Sequence, residues 1–202
     1  ASLKVLNENI RTGETFVIKF DEAPKNIIFD SKTITSFPYQ NGWRAIIPIS
    51  LGKKTGIYKL AAEFSNGEKI ETTIKVSAKA QKIIILPPPP KLGLTDKQIV
   101  QNLSTSNTDL RKTVAEETHI TRFNLPFGLP LADNRRISSP FGEVRRTGEE
   151  SITHLGTDFD AAKGRAAAAI NAGVVKKAYL DNIYGNSVIV DHGRGIYSLY
   201  LH

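Results

Sequence analysis

Several absences bound this sequence before any motif is read. It has no cysteine in 202 residues, which excludes a disulfide framework and any thiolate metal site, though not either side of a membrane. It has no methionine, so the expectation is that the chain does not begin at its own start codon and that a signal peptide, a membrane anchor or other N-terminal residues have been removed. No run approaches the roughly 18 apolar residues that a transmembrane helix needs. The opening Ala1-Ser2-Leu3-Lys4-Val5 carries no apolar signal-peptide core. Histidine occurs four times and tryptophan once.

What is present fits a globular chain. Apolar residues make up 40% and charged residues 23%, and the length suits one large or two ordinary domains. A formal charge of +7 favours an anionic partner such as nucleic acid, phospholipid or an anionic cell-wall polymer. A surplus of lysine also serves simply to keep a protein dispersed, and on charge alone that is the plainer reading.

The first 80 or so residues read as short strands. Thr15-Phe16-Val17-Ile18-Lys19-Phe20 and Asn26-Ile27-Ile28-Phe29 flank the breaker Glu22-Ala23-Pro24, and Trp43-Arg44-Ala45-Ile46-Ile47-Pro48-Ile49 follows the turn pair Asn41-Gly42. Tyr58, Leu60, Ala62 and Phe64 alternate with polar or small residues, and Ile70, Thr72, Ile74 and Val76 do the same on the return. Between them Ser65-Asn66-Gly67-Glu68 predicts a hairpin with a tight primed turn. The spacing predicts an immunoglobulin-like β-sandwich over residues 1–86, without cysteines. It holds no histidine and no clustered acids, so it reads as a binding, spacing or inhibitory module, with Trp43 and Tyr58 in its core.

Pro87-Pro88-Pro89-Pro90 predicts a stiff extended spacer, and residues 87–124 read as a proline-rich linker and helical connector. Thr95-Asp96-Lys97-Gln98 has the form of a capping box, with Ile99, Val100 and Leu103 as one apolar face. A second helix is expected over 109–118, with Leu110 and Val114 inward; His119 beside it reads as a surface residue. From 125 onward, prolines and regularly spaced glycines separate short apolar runs, which predicts an all-β unit over 125–202.

Within that unit His154-Leu155-Gly156-Thr157-Asp158 places an imidazole and a carboxylate four positions apart, a donor set that zinc accepts. Alone the spacing is common; its surroundings are not. Arg136-Ile137-Ser138-Ser139-Pro140-Phe141-Gly142 precedes it. Asn171-Ala172-Gly173-Val174-Val175, then Tyr184-Gly185-Asn186-Ser187-Val188-Ile189-Val190-Asp191-His192-Gly193, and finally Tyr197-Ser198-Leu199-Tyr200-Leu201-His202 follow in order. These blocks resemble the lysostaphin-type, or LytM-like, zinc metallopeptidases over about residues 130–202. The preceding β-domain, proline run and connector resemble the layout of periplasmic members.

The resemblance implies a mainly β chain: the sandwich, the helical connector, and a LytM-type unit of the duplicated hybrid motif, here incomplete. It implies zinc as cofactor, His154 and Asp158 as two metal ligands, and His202 as a catalytic histidine beside the metal. Three protein ligands and an open position let zinc lower the pKa of bound water to about 7. A nearby histidine can orient that water or stabilise the developing oxyanion. His192, in Asp191-His192-Gly193, belongs to a hairpin without metal duty.

The departures are as informative. The family's third ligand and second catalytic histidine lie in a downstream His-x-His motif, and the chain stops before it; an incomplete domain with an unpaired sheet edge is the expectation. The loop 143–153 lacks the tyrosine that some relatives place near the oxyanion. Arg165-Ala166-Ala167-Ala168-Ala169 replaces a stretch suited to a strand with residues that favour helix. Two functions follow. The first is a zinc endopeptidase that cuts peptide cross-links of peptidoglycan in the periplasm or outside the cell. The second is a non-catalytic module that binds the wall or activates another hydrolase. Retention of His154, Asp158 and His202 favours the enzyme. Peptidoglycan is the expected partner and nucleic acid is not; the connector or first domain is a candidate inhibitory segment.

Overall fold

Alternation of apolar and polar residues builds the first unit, because successive side chains of a strand point to opposite faces. The computed structural model describes residues 1–7, 9–85, 108–131, 136–147, 150–181 and 184–202. They form two compact units, Ala1–Gln81 and Lys82–His202.

The first unit consists of β1 (Leu3–Val5), β2 (Ile10–Arg11), β3 (Thr15–Phe20), β4 (Pro24–Phe29), β5 (Lys32–Thr33), β6 (Phe37–Pro38), β7 (Trp43–Pro48), β8 (Gly56–Phe64) and β9 (Lys69–Ser77). Two sheets result, in the orders β1-β3-β7-β6 and β2-β9-β8-β4-β5. All pairs are antiparallel except β2 with β9. Phe16, Ile18 and Phe20 of β3 and Ala45 and Ile47 of β7 share one core with Ile27 and Phe29 of β4, Leu60 and Phe64 of β8, and Ile74 and Val76 of β9. Edge-on ring pairs join the sheets, Phe16 with Phe29 at 5.3 Å and Phe20 with Phe64 at 6.2 Å. Burial of each large side chain contributes about 1.5–3 kcal/mol. Trp43 and Tyr58 pack against this core.

Two local expectations are corrected. Pro24 does not stop β4 but opens it, at the first strand position, where a missing N–H costs little. At the β8–β9 hairpin only Gly67 takes a positive φ, of 83°. A type I′ turn needs that conformation at both central residues and a type II′ turn at the first, Asn66, so neither forms here. Instead Gly67 N–H donates to Phe64 C=O at 3.0 Å, and Asn66 Oδ1 accepts from Glu68 N–H at 3.0 Å.

The second unit contains β10 (Ile83–Ile85), α1 (Thr108–Ala115), β11 (Ile137–Ser139), β12 (Val144–Thr147), β13 (Glu150–Thr153), β14 (Asp158–Phe159), β15 (Val174–Asp181), β16 (Gly185–Gly193) and β17 (Ile196–Tyr200). It is mainly β with one short helix among the described residues. β10, which the sequence reading assigns to the first domain, pairs in parallel with β12, which in turn pairs with β13. The tetraproline run, the capping box and the face Ile99, Val100 and Leu103 lie outside the described residues. Residues 166–169 are exposed and form neither helix nor strand; four alanines are too few to nucleate a helix in water.

β16 is the centre of a three-stranded antiparallel sheet, with β15 and β17 its outer strands among the described residues. The β16–β17 loop, Arg194-Gly195, has φ of 56° and 71°, so the primed conformation expected at Asn66-Gly67 occurs here instead. The chain after α1 leaves helical geometry and lies along this hairpin. Arg194 N–H donates to Thr118 C=O at 2.6 Å, and Arg122 N–H to His192 C=O at 3.0 Å. The Thr118 hydroxyl donates to the buried Asp191 carboxylate at 3.2 Å, and Tyr197 O–H donates to Glu116 C=O. Gly193 makes the approach feasible: a β-carbon there would lie 1.7 Å from Ile120 C=O. These bonds end the helix at Ala115, three residues before the expected 118.

Candidate metal centre

His154 stands directly after β13, and Asp158 opens β14. The link between them turns through Gly156, where a β-carbon would come within 3.5 Å of His154 Nε2 and take up space beside that nitrogen. β14 pairs with β11 so that Asp158 stands opposite Ser139. Two backbone bonds fix residue 154 to the preceding loop: His154 N–H donates to Glu143 C=O and Gly142 N–H to His154 C=O, both at 2.8 Å.

This backbone brings the two side chains together. His154 Nε2 lies 3.2 Å from Asp158 Oδ1. The other carboxylate oxygen, Oδ2, accepts from Arg145 Nη2 at 3.2 Å. On the far side of the ring, His154 Nδ1 lies 3.1 Å from Ser139 Oγ and 3.4 Å from Pro140 C=O. Ser139 Oγ donates to Glu143 Oε1 at 2.8 Å and accepts from Arg145 Nη2 at 2.9 Å. Arg145 Nε also reaches Glu143 Oε1, at 3.3 Å, and Lys82 Nζ pairs with Glu143 Oε2 at 3.2 Å.

Glu143 is only 1% exposed, yet it stays a good acceptor. The Ser139 hydroxyl, then Lys82 and Arg145, hold its carboxyl below the usual glutamate range against the opposing effect of burial. The arrangement is a chain of polar groups running from a buried carboxylate to an exposed one through a serine and an imidazole.

The residues present fit a zinc ion in part. An imidazole nitrogen and a carboxylate oxygen face each other at 3.2 Å, a separation that an Nε2–H donating to the carboxylate satisfies and that two ligands of one zinc ion also adopt. A nitrogen and an oxygen donor suit zinc. Among the described residues no group of three or more His, Asp or Glu side chains converges, so these two would supply only part of a tetrahedral set.

The contacts of His202 are with Tyr184. Its N–H donates to Tyr184 C=O at 2.7 Å, and its ring centroid lies 6.2 Å from that of Tyr184. His192 is fully buried, with Nδ1 2.7 Å from Ala172 C=O and Nε2 2.8 Å from Ser198 Oγ, so both its nitrogens are committed to the fold. His119 is exposed. Sequence reasoning missed Glu143 and Arg145 and gave Ser139 no role. A carboxylate and a guanidinium two positions apart share one side of an extended chain, and that was the available signal.

Residues 152–202 match the model of Peptidase family M23, in agreement with the lysostaphin-type resemblance of the motifs. A crystal structure of a Pseudomonas aeruginosa protein assigned to peptidase M23 matches with a TM-score of 0.63 and 24% identity, covering 98% of this chain and 75% of that one. That likeness shows the fold. A Bacteroides ovatus mixed-linkage glucan utilization locus protein, SGBP-B, solved with a mixed-linkage heptasaccharide, gives a TM-score of 0.25 at 16% identity over 39% of this chain and 22% of that one, too slight to carry fold or function. Among curated proteins none matches.

Proposed function

Taking residues 152–202 as an M23 peptidase segment, we propose that the second unit belongs to a zinc-dependent endopeptidase that hydrolyses peptide cross-links of peptidoglycan in the periplasm or outside the cell. The observation that carries this reading is the convergence of His154 Nε2 and Asp158 Oδ1, 3.2 Å apart, inside the segment that matches the family. These two side chains would hold the metal. When bound, zinc supplies a Lewis acid that polarises a carbonyl and acidifies water. The chain's own residues set the scene for it. Arg145 occupies Asp158 Oδ2 and leaves Oδ1 toward His154. The loop 140–143 clamps the backbone of residue 154 on both sides. His202, matched to the family's catalytic histidine, would move a proton to or from the reacting water.

The charge of +7 supports attraction to an anionic wall polymer. The strand orders β1-β3-β7-β6 and β9-β8-β4-β5 support an immunoglobulin-like sandwich in the first unit, since they follow the ABED and GFCC′ arrangements of that fold. We read that unit as an accessory module.

Digestion of purified peptidoglycan by the natural full-length protein, with and without zinc, tests the activity. Release of new peptide termini that disappears on chelation and returns with zinc supports the endopeptidase. Wall binding without any cleavage would replace it with the non-catalytic module that binds the wall or activates another hydrolase.

A further inference from the structure

Arg145 is held at three points. Its Nε donates to Glu143 Oε1 at 3.3 Å, and its Nη2 donates to Ser139 Oγ at 2.9 Å and to Asp158 Oδ2 at 3.2 Å. These bonds use three of the five N–H groups of a guanidinium. The two on Nη1 meet no acceptor among the described residues, and solvent reaches them, the side chain being 37% exposed. Because the group is planar, Nη1 lies beside Nη2, at the end that faces Asp158. The charges nearby leave this end unspent. Lys82 matches the charge of Glu143, and Arg145 then matches that of Asp158. In the metal reading Asp158 gives its charge to the ion, which leaves Arg145 as an uncompensated cation next to it. A guanidinium pinned by the buried Glu143 has also lost most of its freedom already, so a further partner costs little more ordering.

We propose that Arg145 is a specificity-determining residue of the peptidase site, whose Nη1 receives a carboxylate of the substrate carried by the residue that supplies the scissile nitrogen. The carbonyl of the scissile bond is itself a spent carboxyl. The nearest carboxylate that a peptide can offer therefore belongs to the residue on the other side of that bond. A carboxylate suits these donors better than a carbonyl does, because a charge-assisted hydrogen bond is shorter and roughly twice as strong as a neutral one. An amide in the same place keeps an acceptor oxygen but loses the charge. The substrate class is thus a peptide with a free carboxylate next to the bond that is cut, and the same peptide amidated there is the poor substrate.

This inference rests on the peptidase reading above, and its test separates the two. The probes are two synthetic peptidoglycan cross-link peptides, identical except that the residue supplying the scissile nitrogen carries a free carboxylate or its primary amide. Cleavage by the natural full-length protein with zinc gives kcat and KM for each. Nitrogen–proton spectra of the zinc-free protein follow the Arg145 side chain as each peptide is added. The wild type should cut the acid about 10- to 100-fold better in kcat/KM, chiefly through KM, and the acid alone should shift the Arg145 resonances. Arg145→Gln should bring the two peptides level. A role confined to holding Asp158 would lower cleavage of both peptides alike and leave their ratio unchanged, which would overturn the inference. Wild-type protein that shows no preference, or whose Arg145 resonances ignore the acid, would overturn it too, and neither result needs a variant to fold. Wild-type protein that binds the acid through Arg145 but cuts neither peptide would sink the peptidase reading and leave Arg145 as a carboxylate-binding residue.

Discussion

The two units bury different kinds of side chain. In the first, the interior is apolar: Phe16, Ile18, Phe20, Ile27, Leu60 and Phe64 are almost wholly enclosed, and Thr12 and Arg44 are its buried polar members. In the second, the described residues enclose few apolar groups beyond Phe123, Leu131, Ile189 and Val190, while Ser139, Glu143, Ser187, Asp191, His192 and Ser198 are buried and polar. An apolar interior tolerates a range of shapes as long as volume is kept. A polar interior tolerates little, because each buried donor and acceptor needs its partner. The first unit is therefore organised for stability, and the second holds specific groups in specific places.

The strongest way to break this contrast is at His154 and Asp158, the proposed metal ligands. His154→Ala should reduce zinc binding and peptidoglycan cleavage by the full-length protein to background, with little change in unfolding midpoint. Denaturation and metal analysis on the same samples check it, and a large loss of stability with cleavage retained would reverse the contrast. Phe64→Ala is the converse. It should cost about 3–5 kcal/mol of the first unit's stability, read by denaturant unfolding, and leave zinc binding by the second unit unchanged.

A smaller effect should come from the strap on the β16–β17 hairpin. Thr118→Val keeps the volume but removes the hydroxyl that donates to the Asp191 carboxylate. A loss of about 1.5–3 kcal/mol is expected for a hydrogen bond to a charged group. Faster amide exchange confined to the hairpin would locate it. The smallest effect is a slope with pH. Glu143 has a carboxyl held below its ordinary range, so its contribution is complete above the unfolded-state pKa and is lost as pH falls through the folded one. Acid unfolding of the second unit should therefore steepen below the usual glutamate range, and Glu143→Gln should flatten that slope.

The same contrast explains what was legible in the sequence. β-Rich runs bounded by breakers marked β3 and β7, and period-2 alternation marked β8 and β9, because an apolar core needs nothing more than side chains on one face. The turn between β8 and β9 was misread because Asn66 satisfies Glu68 N–H through its side chain and leaves positive φ to Gly67 alone. Helix α1 was legible from Leu110 and Val114, but its end was not, since bonds from Arg194 and Tyr197 draw the following residues onto the sheet. Motif order exposed His154 and Asp158. Glu143 and Arg145 stayed hidden, for a charged residue in a turn ordinarily reads as solvated. Only the fold shows that Lys82, far away in sequence, and Ser139 enclose that carboxylate.

The central claim is that His154 and Asp158 hold a zinc ion in a peptidase unit. Zinc content of the purified natural full-length protein, measured with its intact mass and compared with His154→Ala, tests it most directly. The account predicts about one zinc per chain in the wild type, with the metal absent from the variant. Zinc-free wild-type protein that also fails to take up added zinc, or a variant that keeps its zinc, would contradict it.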